Sequence, residues 1–344
     1  MPSTCYRFIL MRYLLFIQLV VVVFLSSCQS DTNVQLGFIY SSPETDRYVK
    51  EASYFKYYAE RQGATVYVEH GNGDAAAQEQ KAIELIERGV DGLALIAVNA
   101  NTAAAIVRKA QEHGVKVMAY NRLIKNSELD FFVSGNNDVL GKMMVDELLR
   151  VKPSGEAIIL GGDKYDRNAV ELMASVKKYL KPHLESGRVS VGYETYIEEW
   201  SKENAAYELD QYISNTGRVP DLIFAGFDGI AAGCIEVLKK HNVDKEVFIS
   251  GQDATLEGVR NIMAGHQQMT AFHPLKKTSE QAAAVMLQLV AGKQKANQLS
   301  TATINNGQKE VPVLQIPSVA ITRDNLEQVL VDEMGFYTRQ EVSN

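Results

Sequence analysis

The sequence predicts an α/β fold made of two doubly wound lobes of parallel β-sheet. Short apolar runs without polar alternation, such as residues 92–97, are typical of parallel strands that helices cover on both faces. Strand and helix patterns alternate along most of the chain. Gly63, Gly89 and Gly114 end successive helices at spacings of 26 and 25 residues, which is typical of strand–helix units with right-handed crossovers.

Length and composition suit two domains with full hydrophobic cores. The chain has 344 residues, of which 46% are apolar and 22% are charged, as in ordinary globular proteins. The formal net charge is -7, and no cluster of Lys and Arg forms a basic face. Because nucleic acids are bound through such a face, the sequence argues against a nucleic-acid partner.

The N-terminus is predicted to be a signal peptide over residues 1–27. Arg7 and Arg12 precede an apolar stretch at 13–25, which is too short to span a bilayer as a helix but typical of a signal-peptide core. Either Met1 or Met11 can serve as the start, since Met11 is followed by its own basic residue.

The stretch ends in Leu-Ser-Ser-Cys at 25–28, which looks like the bacterial lipobox, in which the cysteine receives a lipid and becomes the first mature residue. We expect Cys28 to be that lipidated residue; a chance cysteine after an ordinary secretory signal is the alternative. Residues 28–33 are short and polar, and are expected to be a tether. Cys234 then has no partner for a disulfide and is predicted to pack as a small buried hydrophobe.

The first series of elements follows the tether. Strands are predicted at 34–40, 64–68, 92–97 and 115–119, with helices at 45–62, from Asp74 to Glu87, and at 102–113. Asp74 is placed to cap the second helix, and a glycine to end each one.

A second series follows residue 130. Strands are predicted at 131–134, 157–160, 189–193, 222–225, 247–250 and 268–272, with helices near 138–151, 168–185, 201–215, 229–241 and 255–264. We assign the next helix, 275–291, to the first lobe, because the second sheet already has its complement of helices.

The chain is expected to cross from one lobe to the other three times, near Arg122, His273 and Asn305. The predicted N-terminal lobe comprises 34–122 plus 274–304, and the C-terminal lobe 123–273 plus 305–337. Such a three-stranded hinge with a cleft between the lobes suits a protein that closes on a ligand.

No catalytic or metal-binding motif is recognisable. The chain lacks Gly-x-Ser-x-Gly, His-Glu-x-x-His, paired Cys-x-x-Cys and Gly-x4-Gly-Lys sequences, and its six histidines are scattered. We therefore expect no enzyme activity, no cofactor and no metal site.

Planar polar side chains instead collect at strand ends and helix starts, where an open parallel sheet binds ligands. They are Asn121, Arg122, Asn136, Asn137, Asn168, Asn204, Asp228 and Asp253. Carboxylate, amide and guanidinium groups can each engage two adjacent hydroxyls of a sugar, and aromatic rings such as Trp200 and Tyr48 can cover its apolar face. The alternatives are core packing for Trp200 and cap or turn roles for each Asn and Asp.

From residue 34 to residue 337, the chain resembles the periplasmic sugar-binding proteins of ABC importers, which have the type I periplasmic binding protein fold. Four segments carry the resemblance: Ala-Tyr-Asn-Arg at 119–122, Ser-Gly-Gln-Asp-Ala at 250–254, Ile-Asn-Asn-Gly at 304–307 with Lys309, Val311 and Pro312, and Met-Gly-Phe-Tyr at 334–337.

The resemblance implies ligand contacts by position. Arg47 and Tyr48 match an Arg-Trp pair whose Trp stacks on the sugar, and Trp200 matches the second stacking Trp. The polar contacts it implies are Arg122, Asn137, Asn168, Asn204, Asp228 and Asp253.

Departures from the family pattern lie in or beside the same cleft. Tyr48 stands for Trp, Asn121 for Asp, Gly135 and Asn136 for Phe-Asp, Phe227 for Asn, and His273 for Lys. Two changes replace a carboxylate by an amide and one removes a lysine, so the charge stays roughly in balance while donors and acceptors change. We therefore include Asn121, Asn136, Phe227 and His273 among the predicted ligand contacts.

By resemblance, the protein is expected to be a monomeric, lipid-anchored receptor on the periplasmic face of the cell envelope. It would bind a monosaccharide, a xylose-like pentose or a related sugar, and deliver it to an ABC permease. Presentation of the bound sugar to a membrane sensor kinase is one alternative, and an enzyme acting on the sugar is another.

Overall fold

The computed structural model describes residues 33–343, and the chain from Gln35 onward forms one compact unit. The predicted signal peptide, Cys28 and the tether up to residue 32 lie outside the described residues. Within 33–343, no helix combines the length and apolar character needed to cross a bilayer.

Strands and helices alternate as the sequence predicts up to residue 291, and the elements after that residue were not predicted. The strands are β1 Gln35–Tyr40, β2 Thr65–His70, β3 Gly92–Leu95, β4 Lys116–Tyr120, β5 Phe131–Ser134, β6 Gly155–Gly161, β7 Val189–Tyr196, β8 Leu222–Ala225, β9 Phe248–Ile249, β10 Met269–Phe272, β11 Ala302–Asn305, β12 Glu310–Gln315 and β13 Val319–Thr322. The helices are α1 Asp46–Glu60, α2 Ala75–Arg88, α3 Ala104–Glu112, α4 Asn137–Val151, α5 Arg167–Glu185, α6 Lys202–Thr216, α7 Asp228–Lys240, α8 Leu256–Met263, α9 Leu275–Val290, α10 Ala296–Leu299 and α11 Arg339–Ser343. A 3-10 turn at Glu198–Trp200 and a π-helix at Glu327–Glu333 complete the set.

Local sequence explains the helix ends. Asp74 accepts a hydrogen bond from the backbone N–H of Ala77 at 2.8 Å, so it caps α2 as predicted. Gly89 ends the same helix at φ 91°, in the left-handed region that side chains other than glycine rarely adopt.

The first sheet has the strand order β11-β12-β5-β4-β3-β1-β2. Its pairs are parallel except for β11 and β12, which are antiparallel. Helices α1 and α9 cover one face, where Phe38, Phe55 and Tyr120 are buried, and α2 and α3 cover the other. We call this sheet with its helices the first lobe.

The second sheet has the order β7-β6-β8-β9, all parallel, and a bridge between Gln252 and Ala271 continues it to β10, which pairs antiparallel with β13. Helices α4 and α5 pack on one face and α6 and α7 on the other. This sheet and its helices form the second lobe. Two lobes of parallel sheet confirm the predicted fold class. Cys234 is fully buried on α7, as predicted.

Strand pairing corrects two of the three predicted crossover points. The strand β5, predicted to open the second lobe, pairs with β4 and β12 in the first sheet. The chain therefore leaves the first lobe after Ser134 and not near Arg122. The chain leaves the first lobe a last time after Gln315 and not near Asn305, because β12 belongs to the first sheet. The crossover at His273 lies between β10 of the second lobe and α9 of the first.

Candidate functional site

The base of the cleft contains an ion pair between the lobes. Arg47, in the first turn of α1, donates from Nη1 to Asp253 Oδ1 at 2.6 Å and from Nε to Glu51 Oε1 at 3.3 Å. Asp253 follows β9 in the second lobe and has φ 85°. Burial lowers the pKa of Arg47, but the carboxylates of Glu51 and Asp253 outweigh burial and raise it above its usual value. The guanidinium is thus a fixed cation between the side chains of Glu51 and Asp253.

His273 lies beside this pair at the second crossover. Its Nδ1 is 2.9 Å from Ser318 Oγ, and its Nε2 is 3.5 Å from Asp253 Oδ1. Burial and the charge of Arg47 lower the pKa of His273 to about 4, so the imidazole is neutral near pH 7. The position that carries a lysine in the family pattern therefore carries no charge here.

Tyr48, Asn121 and Arg122 lie close together in the first lobe, and Tyr48 is buried. Asn121 follows β4 with φ 60° and donates to Tyr48 Oη at 3.4 Å. The guanidinium of Arg122 lies 5.8 Å from the centre of the Tyr48 ring. Arg122 also donates to the carbonyl of Ala97 at 3.3 Å and approaches Asp166 of the second lobe at 3.5 Å.

Asn137 and Asn168 lie close together on α4 and α5 of the second lobe. The amide of Asn137 donates to Asn168 Oδ1 at 3.1 Å and to Glu171 Oε2 at 2.9 Å. Asn168 in turn donates to the backbone carbonyl of Asn121 at 3.3 Å, across the cleft. Glu171 was not predicted, although it lies one turn after Asn168 on α5 and so shares its face.

Trp200 ends the 3-10 turn with φ 57°. Its ring lies against Gly162 and meets Phe227 edge-on, with ring centres 6.4 Å apart. A cavity of about 530 Å³ between the lobes is lined by Trp200, Arg122 and Asn168. Positive φ at Asn121, Trp200 and Asp253 is unusual for side chains other than glycine, and such conformations concentrate at binding sites.

Four other predicted contacts have partners within the fold, and their contact with a ligand stays a prediction. Asn136 caps α4 through the backbone N–H groups of Asp138 and Val139 and donates to Gln315 at 3.1 Å. Asn204 is exposed and donates to the carbonyl of Glu198 at 3.2 Å. Phe227 packs against Trp200, and Asp228 is fully buried. Helix caps and buried acceptors use the same residue types as ligand contacts, so residue type and position in the sequence do not separate the two roles.

Asp228 holds the loop that carries Asp253. It accepts from the backbone N–H of Thr255 at 2.8 Å and from Gln267 Nε2 at 2.8 Å. A side chain at Gly251 would place its Cβ 2.1 Å from Asp228 Oδ1, so the loop can approach Asp228 only with glycine there. Burial raises the pKa of Asp228 to about 7, although these donors lower it.

The raised pKa predicts how Asp228 affects stability. Between about pH 4 and pH 7 the folded chain keeps a proton on Asp228 that the unfolded chain has lost, so stability falls as pH rises. The free energy of unfolding, wild type minus Asp228→Asn, is expected to fall by about 1.4 kcal/mol per pH unit in this range. Urea unfolding at pH 5, 6 and 7 measures it. Asp221→Asn is the control. The pKa of Asp221 is lowered, so its contribution to the free energy of unfolding changes with pH only below this pH range. A constant difference for Asp228→Asn would contradict the prediction.

The contact between Gly162 and Trp200 can be tested without removing any predicted sugar contact. Cβ of an alanine at position 162 would lie 2.2 Å from the Trp200 ring, so Gly162→Ala must displace the indole. We expect a loss of sugar affinity of roughly tenfold, about 1.4 kcal/mol. Gly226→Ala is the matched control, because its Cβ would meet Trp200 at 3.5 Å, an ordinary contact. Equal affinities for both variants, measured by calorimetry, would show that the position of the indole does not matter.

Comparison with known proteins agrees with the fold. Residues 36–294 match the family described as periplasmic binding protein domain, and the chain belongs to that family. It is 30% identical over 309 residues to the D-xylose-binding periplasmic protein of Escherichia coli, covering 90% of this chain and 92% of that protein. It is 31% identical over 320 residues to the protein of the same name from Haemophilus influenzae, and the match covers 93% of this chain and 95% of that protein. The resemblance inferred from the sequence motifs is therefore confirmed.

A solved structure supports the two-lobed architecture. It is a carbohydrate transporter solute binding protein from Chloroflexus aurantiacus in complex with D-glucose. The TM-score is 0.80 at 23% identity, covering 89% of this chain and 98% of that chain. At this identity the likeness concerns the fold.

Proposed function

We propose that this protein is a receptor of the cell envelope that binds a monosaccharide on the periplasmic side and delivers it to an ABC importer. The observation that carries the proposal is a set of contacts between the lobes beside a cavity. Arg47 contacts Asp253, Asn168 contacts Asn121, and Arg122 contacts Asp166. Arg122, Asn168 and Trp200 line the cavity of about 530 Å³. Planar polar groups with an aromatic face are the chemistry that recognises a sugar.

The names of the relatives support a sugar ligand. Two proteins about as long as this chain are D-xylose-binding periplasmic proteins, so a xylose-like pentose is the first candidate. The amide at Asn121 and the neutral imidazole of His273 change which hydroxyls can donate and accept. We infer that a related pentose or hexose competes with D-xylose for the cleft.

Calorimetric titration with a panel of pentoses and hexoses tests the sugar assignment. D-xylose or a related monosaccharide is expected to bind, with a decrease in the radius of gyration as the lobes close. The Arg47→Ala variant serves as the control, since it removes the first partner of the ion pair between the lobes. Absence of heat with every sugar would contradict the assignment.

The membrane anchor and the importer form a separate part of the proposal. Lipid attached at Cys28 would keep the receptor at the membrane beside its permease. Metabolic labelling with palmitate is expected to mark the wild type but not Cys28→Ser. Deleting the gene is expected to abolish uptake of the labelled sugar at low concentration; undiminished uptake would contradict the link to an importer.

A further inference from the structure

Arg47 is shared by two carboxylates from different lobes. Glu51 lies on α1 one turn after Arg47 and is fully buried, whereas Asp253 comes from the second lobe. Opening the cleft would separate Asp253 from Arg47 but leave Glu51 in place, because residues i and i+4 of a helix stay neighbours. Glu51 is therefore the permanent partner of Arg47, and Asp253 is its partner in the closed form.

Two buried polar atoms beside this group lack a hydrogen-bond partner among residues 33–343. They are Glu51 Oε2 and His273 Nε2. Both side chains line one cavity of about 10 Å³, roughly the room that one water molecule needs. Gly135, His273 and Ile316 also line it, one from each crossover, so the cavity lies at the hinge. A buried oxygen without a donor is costly when the carboxylate is ionised.

The charges around Glu51 depend on closure. Burial raises the pKa of Glu51 to about 7; Arg47 lowers it and Asp253 raises it. The other titratable groups near Glu51 are Tyr48 and Tyr120, whose pKa values burial raises, and the neutral His273. Arg47 and Asp253 are thus the charged side chains that face it.

We propose that Glu51 is a positioning residue of the binding site, which holds Arg47 for its contact with Asp253 and takes up a proton as the lobes close. The inference rests on the proposed function, since closure around a sugar drives the change. As the cleft opens, Asp253 moves away, its repulsion is lost, and the pKa of Glu51 falls. Closure between pH 6 and pH 8 then binds a proton, so sugar affinity decreases as pH rises.

Calorimetry in buffers of different ionisation enthalpy counts the protons taken up on binding. With D-xylose and the other sugars of the panel, the wild type is expected to take up a fraction of a proton at pH 7 and to lose at least threefold in affinity from pH 6 to pH 8. Glu51→Gln, which can still accept a hydrogen bond from Arg47, is expected to show neither effect. Glu51→Ala is expected to bind more weakly at both pH values, because Arg47 loses its support.

Glu60→Gln is the matched control, because Glu60 ends the same helix and is exposed. It is expected to keep the proton uptake and pH profile of the wild type. If Glu51 acted on stability alone, Glu51→Gln would change the melting temperature but not the number of protons taken up on sugar binding. If the heat of sugar binding by the wild type is the same in every buffer, the inference about Glu51 is wrong, whereas the proposed function is not affected. Absence of heat with every sugar would contradict the proposed function and the inference with it.

Discussion

Replacing Asp253 with alanine is expected to weaken sugar binding by roughly 30-fold or more, about 2 kcal/mol. The substitution removes a carboxylate that we propose accepts hydrogen bonds from sugar hydroxyls, and also the 2.6 Å bond with Arg47 that joins the lobes. Because the two residues lie in different lobes, the loss falls on the closed form and not on the fold of either lobe. Without Asp253, the partly buried guanidinium of Arg47 keeps Glu51 as a carboxylate partner but has no partner in the second lobe. Calorimetry measures the affinity, and small-angle scattering measures closure.

Asp244→Ala is the control for this variant, since Asp244 is an exposed aspartate of the second lobe beyond α7. Its affinity and melting temperature are expected to match those of the wild type. A double variant with Arg47→Ala is expected to lose less than the sum of the two single losses, because both substitutions break the same bond. Full additivity would show that Arg47 and Asp253 act independently, and unchanged affinity would place the sugar elsewhere.

The sequence was sufficient for the fold class and for the alternating strands and helices up to residue 291, because both follow from local patterns, whereas β11, β12 and β13 were not predicted. Unbroken apolar runs indicate strands covered on two faces, and glycines such as Gly89 mark helix ends through their positive φ. The same local signals do not specify which sheet a strand joins. The four residues of β5 are all buried and would suit either lobe, and only their pairing with β4 and β12 assigns them to the first.

The polar residues of the cleft divide for a similar reason. Asn168 and Asn136 both stand at the start of a helix. The Asn168 side chain donates to the Asn121 carbonyl of the other lobe, whereas the Asn136 side chain both caps α4 through its oxygen and donates to Gln315 of the first lobe. Composition and position are the same for the two roles. The tertiary placement of the neighbouring strand decides which role a side chain has, and local sequence patterns do not predict that placement.

Glu51 shows what local reasoning overlooks. Glu51 comes four residues after Arg47, and this spacing is also that of ordinary surface ion pairs on helices, so the spacing does not show that Glu51 is buried. Its burial depends on α9, which returns more than 200 residues later; Ser279 of that helix donates to the Glu51 carbonyl at 3.1 Å. A contact across 228 residues leaves no periodic trace in the sequence.

Replacing Trp200 with alanine is expected to reduce sugar affinity by roughly 30-fold, about 2 kcal/mol. The indole is the aromatic face that the second lobe offers to the cavity of about 530 Å³, opposite Arg122. Loss of its edge-on contact with Phe227 is expected to cost about 1 kcal/mol of stability as well. The melting temperature should therefore fall modestly while the second lobe stays folded, and calorimetry at a temperature well below melting separates the two effects.

Two further variants show whether the aromatic face itself is responsible. Trp200→Phe keeps a flat ring and is expected to recover part of the affinity, whereas a residue needed only to fill space would give the same affinity with any side chain of similar size. Tyr207→Ala removes an aromatic ring that is 63% exposed on α6 and is expected to bind like the wild type. Unchanged affinity in Trp200→Ala would assign the indole to packing alone, and the sugar would then have to bind against Tyr48 without a ring on the facing lobe.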